Sequence, residues 1–208
     1  MTSYKIFSKL LILKILIFFL CANFIYSNDQ NHTICRVQYS GGGDWYSDPS
    51  SVPNLLKYIN LNTNIKVHSE EVKISLKDKN IFNYPYLYMT GHGNIKLSEI
   101  EIKNLRLHLL NGGFLHVDDN YGLDESFRRE IKKVFPKKNL VELPKDHEIF
   151  NSYFYFPDGL PKVHEHDNKP PQAFALFDKD RMILLYTYES DLGDGWEDPN
   201  VHQNPLAV

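Results

Sequence analysis

Apolar positions along the chain fall into short runs whose period switches between two and about 3.6 residues, the pattern of strands alternating with helices. Thr33 to Tyr39, with Ile34, Val37 and Tyr39 apolar, predicts a strand stopped by Gly41-Gly42-Gly43. A helix is expected next. Asp48 is placed to cap it, Pro49 suits its first position, and Val52, Leu55, Leu56 and Ile59 make one apolar stripe. Asn64 to Val67 reads as a short second strand, and Tyr84 to Thr90 as a third, ended by Gly91-His92-Gly93.

The following helix carries the strongest start signal in the chain. Ser98 and Glu101 form a capping box, with Leu97 and Ile102 spaced as a hydrophobic staple. Its stripe continues through Leu105 and Leu109, and Gly112 or Gly113 supplies a left-handed stop. Phe114 to Val117 predicts a fourth strand that runs into a turn at Asp118-Asp119-Asn120-Tyr121-Gly122. Asp124 is placed to cap a helix with Phe127, Ile131 and Val134 inward, halted before Pro136. Leu140 to Leu143 reads as a fifth strand. Gln172 to Phe177 and Met182 to Tyr188 read as a hairpin around Asp178-Lys179-Asp180.

This alternation predicts an α/β domain, a mostly parallel sheet flanked by helices with a C-terminal hairpin. Ligands in such folds bind beyond the carboxyl ends of the strands, where the strand order reverses. Gly41–Tyr46, Gly91–Asn94 and Asp118–Gly122 therefore share one rim, and Asp44, His92 and Asp119 are expected to line one depression there.

Composition adds a setting. Met1 to Ser27 holds Lys5, Lys9 and Lys14 and no acid, and Leu10 to Ile25 is almost wholly apolar, the layout of a signal peptide. An N-terminal anchor is the competing expectation, since the apolar run approaches the roughly 17–25 residues that span a bilayer. The bulky Phe18-Phe19-Leu20 before Cys21 does not fit a lipid-modified cysteine. Residues 28–208 are then one domain, exported, periplasmic or anchored by the N-terminal segment. Loss of the three leader lysines takes the formal charge from −3 to about −6, which excludes a nucleic-acid partner that needs a basic face. Only Cys35 remains, so no internal disulfide forms, and a buried thiol is expected.

Gly-Gly-Gly-Asp-Trp-Tyr at 41–46, Thr-Gly-His-Gly at 90–93 and Gly-Gly-Phe-Leu-His-Val-Asp-Asp at 112–119 are long motifs in a fixed order. With Phe-Pro-Asp-Gly-Leu-Pro-Lys-Val-His-Glu-His-Asp at 156–167 and Tyr-Glu-Ser-Asp-Leu-Gly-Asp-Gly-Trp-Glu-Asp at 188–198, they resemble the bacterial "domain of unknown function 4159" family. The resemblance covers essentially everything after the leader. It implies a flavodoxin-like fold similar to class I glutamine amidotransferases and supplies no established reaction. Family members usually continue past the equivalent of Val208 into another helix, so the sequence is expected to be C-terminally short.

Amidotransferases of that fold use a cysteine on a sharp turn after a central strand. The corresponding turn here, Asp118-Asp119-Asn120, has neither Cys nor Ser, which argues against thiol acyl transfer. Asp119 is a candidate nucleophile, weighed against capping a turn with Asp118. His92 is a candidate general base, weighed against a structural role. His164 and His166 point to one face of an extended segment and can share a metal, with Glu189, Asp191 and Asp194 as oxygen donors. The alternative is a solvated loop of paired histidines and acids. The two segments are expected to pack together at the rim. Gly42 and Gly43 can cradle an anion, though Asp44 opposes one, and Trp45, Tyr46, Tyr121 and Trp196 can stack on a ligand or complete a core. The leading expectation is a non-amidotransferase module that binds a small molecule or cell-envelope protein. A hydrolase dependent on a divalent metal at His164 and His166 is the alternative, and a structural envelope module the third.

Overall fold

The apolar runs pair into one seven-stranded sheet in a computed structural model that describes residues 32–201. The strands are β1 (Ile34–Gln38), β2 (Val72–Ser75), β3 (Tyr86–His92), β4 (Phe114–Tyr121), β5 (Val141–Glu142), β6 (Gln172–Asp178) and β7 (Arg181–Tyr188). Their order is β2-β1-β3-β4-β7-β6-β5. β6 alone runs against its neighbours, so the sheet is mostly parallel with a C-terminal hairpin. The signal peptide or anchor expected over residues 1–27, and the short C-terminus expected at Val208, lie outside the described residues. Among the described residues no helix is long and apolar enough to cross a membrane.

Among the described residues three α-helices join strands, α1 (Ser51–Asn62), α2 (Glu99–Leu110) and α3 (Asp124–Val134), and the five-residue α4 (Leu192–Trp196) follows β7. Strand alternation splits the interior into two layers. Ile34 and Tyr88 meet Val52 and Leu56 of α1 on one face. Cys35, Val37, Leu87 and Met89 meet Leu105, Leu109, Phe127 and Ile131 of α2 and α3 on the other. Leu143 and Phe150 cover Ala173 and Ala175 of the hairpin. Each fully buried aliphatic or aromatic side chain here contributes about 1.5–3 kcal/mol of transfer free energy. The Glu101 carboxylate accepts from both the amide (2.8 Å) and the hydroxyl (2.6 Å) of Ser98, so α2 begins where the capping pair places it.

Several expectations change. The second strand is Val72–Ser75, not Asn64–Val67, because both polar backbone groups of Val67 are taken by the Asn60 side chain at 2.8 and 3.1 Å. α1 starts at Ser51 with Asp48 upstream in a left-handed conformation (φ 51°), bonding Ser51 through its carbonyl rather than capping with its carboxylate. Asp118, Asp119 and Asn120 are no turn but the end of β4, held extended by partners on β3, β7 and α4. Asp124 is the first residue of α3. Its start has no side-chain cap, and Asp119 Oδ1 accepts the amide of the preceding Leu123 at 2.9 Å. β1 lies between β2 and β3, so the order reverses beside β1, and the rim forms over the carboxyl ends of β1, β3, β4 and β7.

Candidate functional site

The loops after β1 and β3 are joined through their backbones. Gly43 N donates to Asn94 O (3.1 Å), Asp44 N to His92 O (3.3 Å), and Asn94 Nδ2 to Gly41 O (2.9 Å). A Cβ on Gly41 would lie 2.6 Å from Asn94 O, and one on Gly43 would lie 2.6 Å from His92 O, so both glycines serve close backbone approach. The Gly43 and Asp44 amides are spent on these carbonyls and do not face an open anion cradle. Asp44 accepts from the His92 amide and places Oδ2 3.1 Å from His92 Nδ1.

β4 carries carboxylates into the interior. Asp118 is wholly buried and accepts from the Thr187 hydroxyl, from Gly193 N at 2.7 Å and from Tyr88 OH at 3.4 Å. Burial still pushes its carboxyl up to about 7. Asn120 Oδ1 is bonded by the Thr90 hydroxyl and by Gly91 N at 3.0 Å, which leaves Nδ2 to donate to Asp48 Oδ2 at 2.5 Å. Asp119 faces the other layer, where it also accepts from Tyr186 OH at 3.1 Å, and burial pushes it up to about 6.

β7 is followed by Glu189, Ser190 and Asp191, with left-handed backbone at Glu189 (φ 57°) and Asp191 (φ 59°). Segment 161–166 is laid against that end. Val163 N and His164 N donate to Ser190 O (2.8 and 3.3 Å), and Ser190 Oγ donates to Pro161 O (2.5 Å). The consequence is that His164 Nδ1 stands 2.7 Å from Asp194 Oδ2 and 3.7 Å from Asp191 Oδ2, and His166 Nε2 stands 3.1 Å from Asp191 Oδ2. Asp191 is 1 % exposed, and its Oδ1 has no hydrogen-bond partner. Burial first, then Asp118, Asp194 and Asp48, push its carboxyl up to about 10. Desolvation, then neighbouring His164, holds His166 below the ordinary imidazole range.

One ligand atom each from His164, His166 and Asp191 lies within 4.8 Å of the others, and the same holds for Asp48, Asp191 and Asp194. Of the basic side chains nearby, Arg36 pairs with Glu71 at 2.7 Å and also donates to the Asp48 carbonyl at 3.1 Å, while Lys162 pairs with Glu189 at 3.0 Å and Lys169 with Asp167 at 3.1 Å. Buried carboxylates in that position either bind protons or bind a cation.

Beside the cluster opens a polar cavity of about 390 Å³, lined by Asp119, Tyr121, Glu125, His166, Lys169 and Glu189 among others. Tyr121 stacks on His166 with ring centres 4.9 Å apart and donates to Asp167 Oδ1 at 3.2 Å.

Of the residues singled out in the sequence, His164, His166, Asp191 and Asp194 are brought together. Glu189 is not in that cluster but pairs with Lys162. Asp119 and Tyr121 line the cavity. His92 and Asp44 pair on the same edge without lining it, and Gly93 N ties their loop to Tyr121 O at 3.3 Å. Gly42 and Gly43 belong to the backbone joint. Trp45 packs against the main core, T-shaped on the exposed Tyr46. Trp196 lies 5.8 Å from Tyr88 and 6.0 Å from His116, completing the α1 layer. Asp48, Asp118 and Asn120 were not foreseen as site residues. The available signal for Asp118 and Asn120 was their place at the carboxyl end of β4, whereas Asp48 lies in the loop between β1 and α1.

A search of curated proteins returns no match. Residues 33–208 match the sequence profile of the family described as "Domain of unknown function (DUF4159)", and the chain belongs to that family.

Proposed function

We propose that the domain is a metal-dependent enzyme of the hydrolase kind, with His164, His166 and Asp191 holding a divalent cation beside the polar cavity. The observation that carries this reading is the convergence of two histidines and the buried Asp191 carboxylate from separate segments. Donor atoms around an ion at 2.0–2.1 Å stand about 3.0–3.4 Å apart. Asp191 Oδ2 stands 3.1 Å from His166 Nε2 and 3.7 Å from His164 Nδ1, within and just above that range. Imidazole and carboxylate donors together suit zinc, manganese or iron. Held by these residues, such an ion would supply Lewis acidity and lower the pKa of a bound water toward neutrality. Tyr121, Lys169 and Asp119 line that cavity, and this polar lining supports a small polar substrate. Export to the cell envelope is the proposed setting, supported by the leader pattern of residues 1–27.

A second reading, a non-catalytic module that binds a small molecule or an envelope protein, is supported by the histidine–aspartate hydrogen bonds, which close the cluster without an ion. Melting of chelator-treated protein with and without zinc or manganese separates the two. An ion at about a hundred times its Kd adds about 2.7 kcal/mol. That gain should be present in the native chain and lost in His166→Ala. Identical melting in both conditions would favour the binding module.

A further inference from the structure

We propose that Asp191 bridges two divalent cations, the second held by Asp48 and Asp194, so that the centre is dinuclear. The inference rests on the metal-dependent reading above and adds Asp48 to the site. Asp191 is the one residue common to both ligand sets, the histidine set and the all-carboxylate set. Its Oδ2 is committed to His166 at 3.1 Å, while Oδ1, equally buried, has no partner. A carboxylate with one oxygen for each ion is the usual way to hold two cations about 3.5–4 Å apart.

Asp48 is held as an outer hydrogen bond holds a ligand. Asn120 Nδ2 fixes its Oδ2 at 2.5 Å, and Asn120 is itself locked by Thr90 and Gly91. Space for that carboxylate exists only because residue 193 is glycine, since a Cβ there would stand 2.4 Å from Asp48 Oδ2. Charge points the same way. Asp48, Asp118, Asp191 and Asp194 are all at most 9 % exposed, and two divalent ions match four carboxylates where one does not. The all-oxygen half suits a harder ion and the histidine half a borderline one, and manganese satisfies both.

The test titrates the full chain, stripped by chelator, with Mn²⁺, followed by calorimetry and electron paramagnetic resonance. The expected result is two equivalents bound and the spectrum of an exchange-coupled pair. Asp48→Asn should leave one equivalent and abolish the coupled signal, with circular dichroism confirming the fold. Should that variant fail to fold, Asp194→Asn is expected to do the same. One uncoupled equivalent in the native chain, unchanged by Asp48→Asn, would overturn the bridge and leave a single-ion site standing. No binding of Mn²⁺ or Zn²⁺ at all would overturn both.

Discussion

His166 Nε2 stands 3.1 Å from Asp191 Oδ2 although 25 positions separate them. The contact is produced by backbone, not by the side chains: the Ser190 carbonyl accepts two amides of the 163–164 segment and sets its histidines against the end of β7. A site assembled in this way depends on loop docking, so changes that leave the sheet intact can still dismantle it.

Gly193→Ala is such a change. The added methyl would meet Asp48 Oδ2 at 2.4 Å and Tyr88 OH at 3.2 Å. Overpacking of this kind costs on the order of 1–3 kcal/mol. The expected outcome is a folded protein that melts lower and binds Mn²⁺ at least tenfold more weakly. Unchanged melting and affinity would show that Asp48 is not held against residue 193.

His116 gives the acid limb of stability. It is buried, with Tyr86 OH and Thr187 Oγ1 each 3.2 Å from a ring nitrogen, and burial pushes it down to about 4. A depressed folded pKa means that its stabilising contribution is complete above the unfolded value, near 6.5, and is lost as pH falls through about 4. The contribution is on the order of 3 kcal/mol. Urea midpoints at pH 7 and pH 4 should differ less in His116→Gln than in the native chain. Equal differences would assign the acid sensitivity elsewhere.

Asp119 works in the opposite direction. Its folded value is raised to about 6, so its contribution is full below about 3.8 and is lost as pH rises through 6. Asp119→Asn keeps an acceptor for the Leu123 amide and should stabilise the fold at pH 8 by on the order of 1–2 kcal/mol, with no gain at pH 4. A destabilised variant at pH 8 would contradict this.

Cys35 is wholly buried in β1, and burial pushes its thiol up to about 12. Thiol reagents should label it only as fast as the domain unfolds. Rapid stoichiometric labelling at neutral pH without denaturant would place it at an accessible surface.

The main elements were legible because their signals are local. The Ser98–Glu101 pair marks the start of α2, and the polar break at 178–180 marks the hairpin, which turns through Lys179 at φ 55°. The second strand was misplaced because Val67 is satisfied by Asn60, a side chain that competes with strand pairing and leaves no trace in periodicity. Asp118 and Asn120 read as turn residues, since nothing local announces Thr187, Gly193 and Asp48 as partners about 70 positions away. The meeting of 164–167 with 188–198 was anticipated from their chemistry. Asp48 was not, because its place before Pro49 gave a sufficient local explanation as a helix cap.

Elemental analysis of the chain, purified without added metal or chelator, tests the metal-dependent centre most directly. The expected result is a divalent transition-metal ion that co-purifies with the native chain and is absent from Asp191→Asn and depleted in His166→Ala. A native chain that carries no such ion and takes up neither Zn²⁺ nor Mn²⁺ on dialysis would contradict it, leaving His164, His166, Asp191 and Asp194 as a hydrogen-bonded latch between two loops.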